Sequence, residues 1–333
     1  MRCGCREPYC AGPDRGYRGW SPSFTAIQLT MALVEYFCVL LFILSSLAVA
    51  NVVVAVSSTG QLFLSPLRLF LAVLLPLLIC RRAIRNQSLL PSGAFAAFFI
   101  GAVLTLSSYT HMTLMLVFFF TSSRLSKYKL KEKQLFHEEP GGNGGGGRDW
   151  LQVMASGGVP AAIDLVRIID YGFGEERPVS FSFDYSRAWY EVAFLGALAC
   201  ACGDTWASEL GPVLSSGHPL LITTFRPVPK GTNGGVSFVG TLASCLGGLA
   251  LGLTHYLCVF LWSSELELSA TTADSQRVLI LTGALFGFLG SVIDSLFGAF
   301  FQYSGYDIQT KRVVSKADDD VVHISGCDIL SYT

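Results

Sequence analysis

A chain of 333 residues that is 51% apolar and only 14% charged, with a mean hydropathy of +0.50, falls outside the soluble globular class and inside that of integral membrane proteins. Its net charge of −1 gives no footing for nucleic-acid binding. In a membrane protein the information lies in where the charges fall.

Residues 1–26 read as a basic cytosolic tail. Cys3, Cys5 and Cys10 form a CxCx4C cluster without a matching His or second pair, which argues against zinc and for an acylated tail. Glu7 and Asp14 make the tail only weakly transit-like. A bilayer core of about 30 Å needs roughly 20 apolar residues in a helix. Candidate spans lie near 30–56, 62–80, 93–108, 110–123, 151–171, 188–208, 236–262 and 278–302. The first carries an "AVA" at Ala48–Ala50 that fits a signal cleavage rule, yet "NVVVAV" continues the apolar run, so we read a retained anchor. Glu35 near its start reads as an interfacial carboxylate.

The segment 93–123 is either one long tilted helix or two short ones turning at "SSYTH", Ser107 to His111. Charge arbitrates, because positive loops face the cytoplasm. With two helices, the amino terminus, the loops 81–92, 124–149 and 209–235 and the tail after 302 share one side and hold eighteen of the 23 Lys and Arg residues. The opposite loops hold Glu175, Glu176, Asp184, Glu265, Glu267 and Asp274. The expectation is an all-α polytopic membrane protein, a bundle of about eight transmembrane helices (six at the least) over 27–302, with a Gly-rich cytosolic linker at 137–149 and a cytosolic tail at 303–333.

Cys38, Cys80, Cys200, Cys202, Cys245 and Cys258 fall within spans and imply no disulfide framework. The five histidines, His111, His137, His218, His255 and His323, show no ligand spacing, and His111 and His255 read as packing or hydrogen-bonding residues.

Three late spans carry small residues at helical spacing: Gly196, Cys200, Gly203 and Ala207; Gly240, Ser244, Gly248 and Gly252; Gly283, Gly287, Gly290 and Gly298. Such stripes let transmembrane helices approach closely. Close packing does not account for Asp204, Glu209 and Asp294, because an ionised side chain deep in a bilayer costs at least about 2.5 kcal/mol. Topology puts all three at the cytosolic ends of their spans. Asp204 and Glu209 point to neighbouring faces of one helix, and a last turn frayed at Gly211-Pro212 is expected to swing Glu209 inward.

On the same side lies "TTFRPVPKGTNGGVS", residues 223–237. Arg226, Lys230, Gly231, Thr232, Asn233, Gly234 and Gly235 are the candidate phosphate-binding residues, since glycines let backbone N–H groups curve around an anion and a helix start adds partial positive charge. The alternative is a plain connection capped by Thr232 or Asn233. The loop matches neither a Walker nor a GxGxxG pattern. Asp204, Glu209 and Asp294 as metal ligands and catalytic groups, Mg²⁺, and a basic Gly-rich loop together are the equipment of phosphoryl transfer.

The stretches "ALACACGDTWASELGPVL" (197–214), "LITTFRPVPKGTNGGVSFVG" (221–240) and "GFLGSVIDSLFGAFFQYSG" (287–305) resemble the transmembrane protein 19 family, with "FFTSSRLSKYK" and "RDWLQVMASGGVPA" extending the likeness from about Ser65 to Leu330. That family is related to the plant phytyl-phosphate kinase. The resemblance implies a kinase that moves a phosphoryl group from CTP or ATP to a phytyl- or farnesyl-like isoprenyl monophosphate, with lipid bilayer, lipid phosphate and nucleotide as partners and no nucleic acid. The family's setting implies the endoplasmic reticulum or another endomembrane, with the plastid envelope as an alternative. The family pattern also runs through an Ile-Leu-Asp-Asn-Asn segment into a final span, whereas here Ile329-Leu330 is followed by Ser331-Tyr332-Thr333, so a shortened or variant form is expected. The residues leave two other classes open. A transporter or ion pathway would place acids at several depths, and a non-catalytic scaffold would pair the acids with Arg226 or Lys230.

Overall fold

The helical ends are set by ordinary signals. In the computed structural model, which describes residues 65–129, 147–174, 176–262, 270–310, 312–314 and 321–326, Pro66 opens α1 (Pro66–Arg85) behind Ser65, and Arg82 and Arg85 sit in its last turn where the helix dipole favours cations. Then come α2 (Pro91–Ser107), α3 (Tyr109–Lys127), α4 (Trp150–Tyr171), α5 (Tyr185–Leu214), α6 (Phe238–Trp262) and α7 (Ala270–Phe301). Asp149 caps α4 by accepting from the Gln152 amide at 2.9 Å, and Asp184 caps α5 by accepting from the Arg187 amide at 3.1 Å. These helices answer to the seven later candidate spans. The basic tail with its cysteines, the span 30–56 with Glu35 and Cys38, the linker residues 137–146 and the last residues, 327–333, lie outside the described residues.

The segment 93–123 is two helices. Ser108 is extended (φ −155°, ψ 135°), ends α2, and accepts from the His111 amide at 3.3 Å to start α3. The chain then runs back along α2, with Phe98 and Phe119 packing on one cluster and Lys127 Nζ donating to the Asn86 carbonyl. One end of the bundle thus gathers residues 86–90, 127, 148 and 209, and the other gathers Arg68, Ser107–Thr110, Gly174 and Glu176. This is the same partition of loops that charge suggested. By length and composition, Trp150–Tyr171, Phe238–Trp262 and Gln276–Phe301 are long and apolar enough to cross a membrane, and α2 is a shorter apolar helix.

The tightest packing joins α5, α6 and α7. A Cβ placed on Gly203 would stand 2.5 Å from the Gly287 carbonyl oxygen, one on Gly248 2.1 Å from that of Gly283, and one on Gly287 2.5 Å from that of Ser244. No side chain fits at those separations, so the glycine stripes bring backbone against backbone. On the outer side of α7, Leu281, Leu285, Leu289, Ile293 and Phe297 are exposed at a spacing of four, the face a lipid tail would cover. Cys80, Cys200, Cys202, Cys245 and Cys258 are free thiols, as expected.

Two small sheets complete the described residues. β1 (Leu220–Leu221) pairs antiparallel with β2 (Gly235–Val236) at the two ends of the α5–α6 connection. After α7, β3 (Ser304–Asp307) lies between β4 (Arg312–Val314) and β5 (Val321–Ser325) in an antiparallel sheet, where the sequence reading foresaw only a tail.

Replacing Gly248 by Ala should destabilise the protein by about 1–3 kcal/mol or more, since backbone on the facing helix must move. Gly217, whose added Cβ would meet nothing within 4 Å, serves as the control. Thermal unfolding in detergent should show a lowered midpoint for Gly248→Ala and an unchanged one for Gly217→Ala.

Candidate functional site

The glycine seam positions the acids. Asp204 follows Gly203 on α5 and Asp294 lies one turn beyond Gly290 on α7, so closing the seam brings the two carboxyl groups side by side. Both line a cavity of about 480 Å³ whose other wall is the α5–α6 connection. Two ionised carboxylates in contact repel, so the pair is stable only with a proton or a cation between them. Among the described residues no three His, Cys, Asp or Glu side chains gather into a metal-binding cluster. The two-carboxylate wall fits Mg²⁺, which keeps several waters and takes one or two carboxylates along with substrate phosphates.

Glu209 does not join the pair. The expected helix end at Gly211-Pro212 is corrected by the structure, because α5 continues to Leu214 and the Ser215 amide still donates to the Gly211 carbonyl at 3.1 Å. Pro212 removes only the bond that would have reached the Ser208 carbonyl, too little to fray the turn. Glu209 therefore stays in helical register. It lines the cavity, yet its Oε1 accepts from Ser126 Oγ on α3 at 2.5 Å, and it stands beside the Arg148 guanidinium. Burial pulls that guanidinium below its ordinary value and the Glu209 carboxylate pulls it back.

The loop divides likewise. Lys230 through Gly235 line the cavity, whereas Arg226 is exposed and lies outside its lining, with its carbonyl accepting from the Leu221 amide at 2.9 Å. Lys230 Nζ donates to the carbonyls of Pro212 at 3.0 Å and Ser215 at 2.5 Å, covering the C-terminus of α5. Thr232 is buried and donates from Oγ1 to the Pro229 carbonyl at 2.8 Å. The Asn233 amide donates to Ser304 Oγ at 3.0 Å and its Nδ2 to the Tyr303 carbonyl at 3.3 Å, so the C-terminal sheet holds the loop. Gly231 (φ +92°) and Gly234 (φ +79°) adopt left-handed backbone, and Gly234 lies so close to Ala299 that a Cβ would meet it at 2.5 Å. The cap of α6 is Ser237, which accepts from the Gly240 amide at 3.1 Å, and neither Thr232 nor Asn233 serves in that place. Two residues of strand intervene between the loop and the helix.

A second polar cluster, at the opposite end of the bundle, escaped the sequence reading. His111 Nδ1 stands 2.7 Å from Asp164 Oδ1 and its Nε2 2.8 Å from Glu191 Oε2. Arg167 donates from Nε to Glu191 Oε1 at 3.2 Å and from Nη1 to the carbonyl and hydroxyl of Ser107 at 3.0 Å each. Phe194 stacks on the His111 ring at 3.7 Å. The signal was present, because Asp164, Arg167 and Glu191 are ionisable residues inside apolar spans.

Comparison with known proteins gives the family. A family model described as Integral membrane protein DUF92 matches residues 74–332. The chain belongs to the DUF92 integral membrane family. Protein PGR of Arabidopsis thaliana, another relative, is 37% identical over 267 residues, covering 79% of this chain and 89% of its own length. An uncharacterised membrane protein of Methanocaldococcus jannaschii is 28% identical over 240 residues, 72% of this chain and 85% of that one. Protein VTE6, chloroplastic, of Arabidopsis thaliana is 28% identical over 215 residues, 63% of this chain and 56% of that one. The family resemblance drawn from the three motifs holds, and two Arabidopsis thaliana proteins are among the relatives. No solved structure matches the chain.

Lys230→Met should leave two helix-terminal carbonyls without a charged donor and cost about 1–3 kcal/mol of stability in the absence of any nucleotide. Thermal unfolding of the nucleotide-free protein checks this; an unchanged midpoint would mean that the ammonium contributes nothing to holding α5.

Proposed function

We propose that this DUF92 protein is a Mg²⁺-dependent lipid kinase that passes a phosphoryl group from CTP or ATP to an isoprenyl monophosphate at the cytosolic membrane face, within a bundle of eight spans whose amino terminus is cytosolic. The observation that carries the reading is that Asp204 and Asp294 line one wall of a cavity whose other wall is a Gly-rich loop. Asp204 and Asp294 would hold the metal. When bound, Mg²⁺ would offset the negative charge of the phosphate groups. The backbone of Lys230, Gly231, Thr232, Asn233, Gly234 and Gly235 faces the phosphates, and Glu209 at the rim would enter the metal's sphere only by leaving Ser126. Arg226, exposed and outside the cavity lining, would bind phosphate only of a ligand that extends beyond the cavity. The apolar tail of the acceptor stays in lipid while its phosphate reaches the cavity.

Kinship with the plant phytyl-phosphate kinase, implied by the sequence resemblance, supports the isoprenyl acceptor. The endoplasmic reticulum was expected from the family's setting, while the name of one relative, Protein VTE6, chloroplastic, supports the plastid envelope as the compartment to examine beside it. A second reading, an ion or proton pathway, has one observation in its favour: Asp164 and Glu191 add acids at a second depth.

Purified protein with phytyl or farnesyl monophosphate, Mg²⁺ and radiolabelled CTP or ATP tests the proposal. Label is expected in the diphosphate and should fall at least about 100-fold in Asp204→Asn, as for removal of a principal electrostatic group. Labelling that survives Asp204→Asn and Asp294→Asn together, or nucleotide-independent flux into liposomes without labelling, would overturn it.

A further inference from the structure

We propose that the apolar cavity walled by α1, α2, α3 and α4 seats the branched unit of the acceptor lipid nearest its phosphate, with Arg148 meeting that phosphate. The inference rests on the lipid-kinase reading and adds to it where the acceptor binds. The cavity, of about 70 Å³, has Ile79, Ala97, Ile100, Met115 and Phe119 among its walls. It lies at a loose joint of the bundle, since α1 and α3 are held together far less closely than α1 and α2 or α2 and α4. A core packed for its own sake leaves few voids larger than a water molecule. Water does not suit this one, because a buried water needs two to four polar partners. Its polar side chains are already engaged: Ser156 Oγ donates to the Gln152 carbonyl at 3.0 Å and Cys80 Sγ to the Ala94 carbonyl at 3.3 Å. Hydrocarbon is the matching occupant. The unbranched side chains of Met112 and Met115 can yield to methyl branches, and only this first unit of the tail leaves the bilayer.

Charge fixes which hydrocarbon. Among the described residues that line the cavity, Arg148 is the single charged one. Its backbone is pinned, the amide donating to the Ser88 carbonyl at 3.1 Å and the carbonyl accepting from the Leu90 amide at 2.9 Å, and its guanidinium stands 5.9 Å from the Phe118 ring centre. A guanidinium fork matches phosphate oxygens. The Glu209 carboxylate beside it lines the larger cavity of Asp204 and Asp294, so the Arg148 and Glu209 pair stands between the two cavities. Burial lowers the Arg148 guanidinium below its ordinary value in spite of Glu209, so one carboxylate does not offset its burial and a phosphate would complete the compensation. A lipid with an apolar branched chain and an anionic head thus spans from the small cavity toward the acidic pair.

The test uses the full chain in phosphatidylcholine nanodiscs, without nucleotide or Mg²⁺, and farnesyl monophosphate carrying a photoreactive diazirine near its phosphate end. Cross-links mapped by mass spectrometry are expected at the cavity wall, on Ile100 or Met115, displaced by plain farnesyl monophosphate and not by dioleoyl phosphatidic acid. Arg148→Gln should weaken that binding at least about tenfold, as for loss of a charged hydrogen bond. Ala97→Phe, which fills the cavity, should abolish the cross-links; if it does not fold, the Arg148→Gln affinity decides. Cross-links confined to lipid-facing residues such as Leu281 and Leu285, displacement by phosphatidic acid as readily as by farnesyl monophosphate, or unchanged affinity in Arg148→Gln would overturn the proposal. Diphosphate formed by protein cross-linked only elsewhere would overturn this seat and spare the kinase reading. Cross-links at the cavity wall in protein that forms no diphosphate would support the seat and count against the kinase reading alone.

Discussion

Everything at the candidate site depends on the backbone contact among α5, α6 and α7. Lipid tails are as apolar as leucine, so transmembrane helices gain little from hydrophobic burial and associate through packing and polar contacts. Gly203 against Gly287, Gly248 against Gly283 and Gly290 against Cys200 leave no room for a Cβ. That closeness fixes the relative height and rotation of α5 and α7, and so decides which side chains meet where the seam ends. Asp204 and Asp294 meet there.

The two ends of the molecule treat charge differently. Around Asp204 the carboxylates face a wide cavity bounded by a loop that the C-terminal sheet holds through Asn233, an arrangement able to admit an anion and a cation from solvent. Around His111 the charges are enclosed and matched one against another. Both clusters draw on α5, where Glu191 and Asp204 are about 20 Å apart at 1.5 Å per residue. One rigid helix thus carries a component of each, and a shift of α5 along the seam would be felt at both.

Much of this was legible in the sequence, and for identifiable reasons. The glycine stripes are periodic, so they could be read as contact faces. The break at Ser108 was decided by which loops held the Lys and Arg residues. Asp204 and Asp294 stood out because each lay beside such a stripe at a matching depth. The failures also have causes. The helix was expected to end at Gly211-Pro212, yet a proline near the last turn removes one hydrogen bond and the helix runs on to Leu214, so Glu209, read as a further ligand or base, lines the cavity while accepting from Ser126. Lys230 was read as a phosphate-binding cation, and the carbonyls at the end of α5, which it covers, were invisible until the loop's path was known. Arg226 was included for its charge, and the β1 pairing that turns this part of the loop outward has too few residues to leave a pattern. Asp164, Arg167 and Glu191 were passed over because they are scattered across two spans, and only their meeting at His111 gives them a shared meaning.

The central proposal is that Asp204 and Asp294 at the end of the seam hold a divalent cation, with Glu209 held by Ser126. Electron paramagnetic resonance of Mn²⁺ titrated into the purified protein, in wild type, Asp204→Asn/Asp294→Asn and Glu209→Gln, tests it most directly. The account predicts one bound Mn²⁺ per chain in the wild type, its loss in the double aspartate variant and its retention in Glu209→Gln. Binding that persists without both aspartates, or that disappears equally with Glu209→Gln, would contradict it.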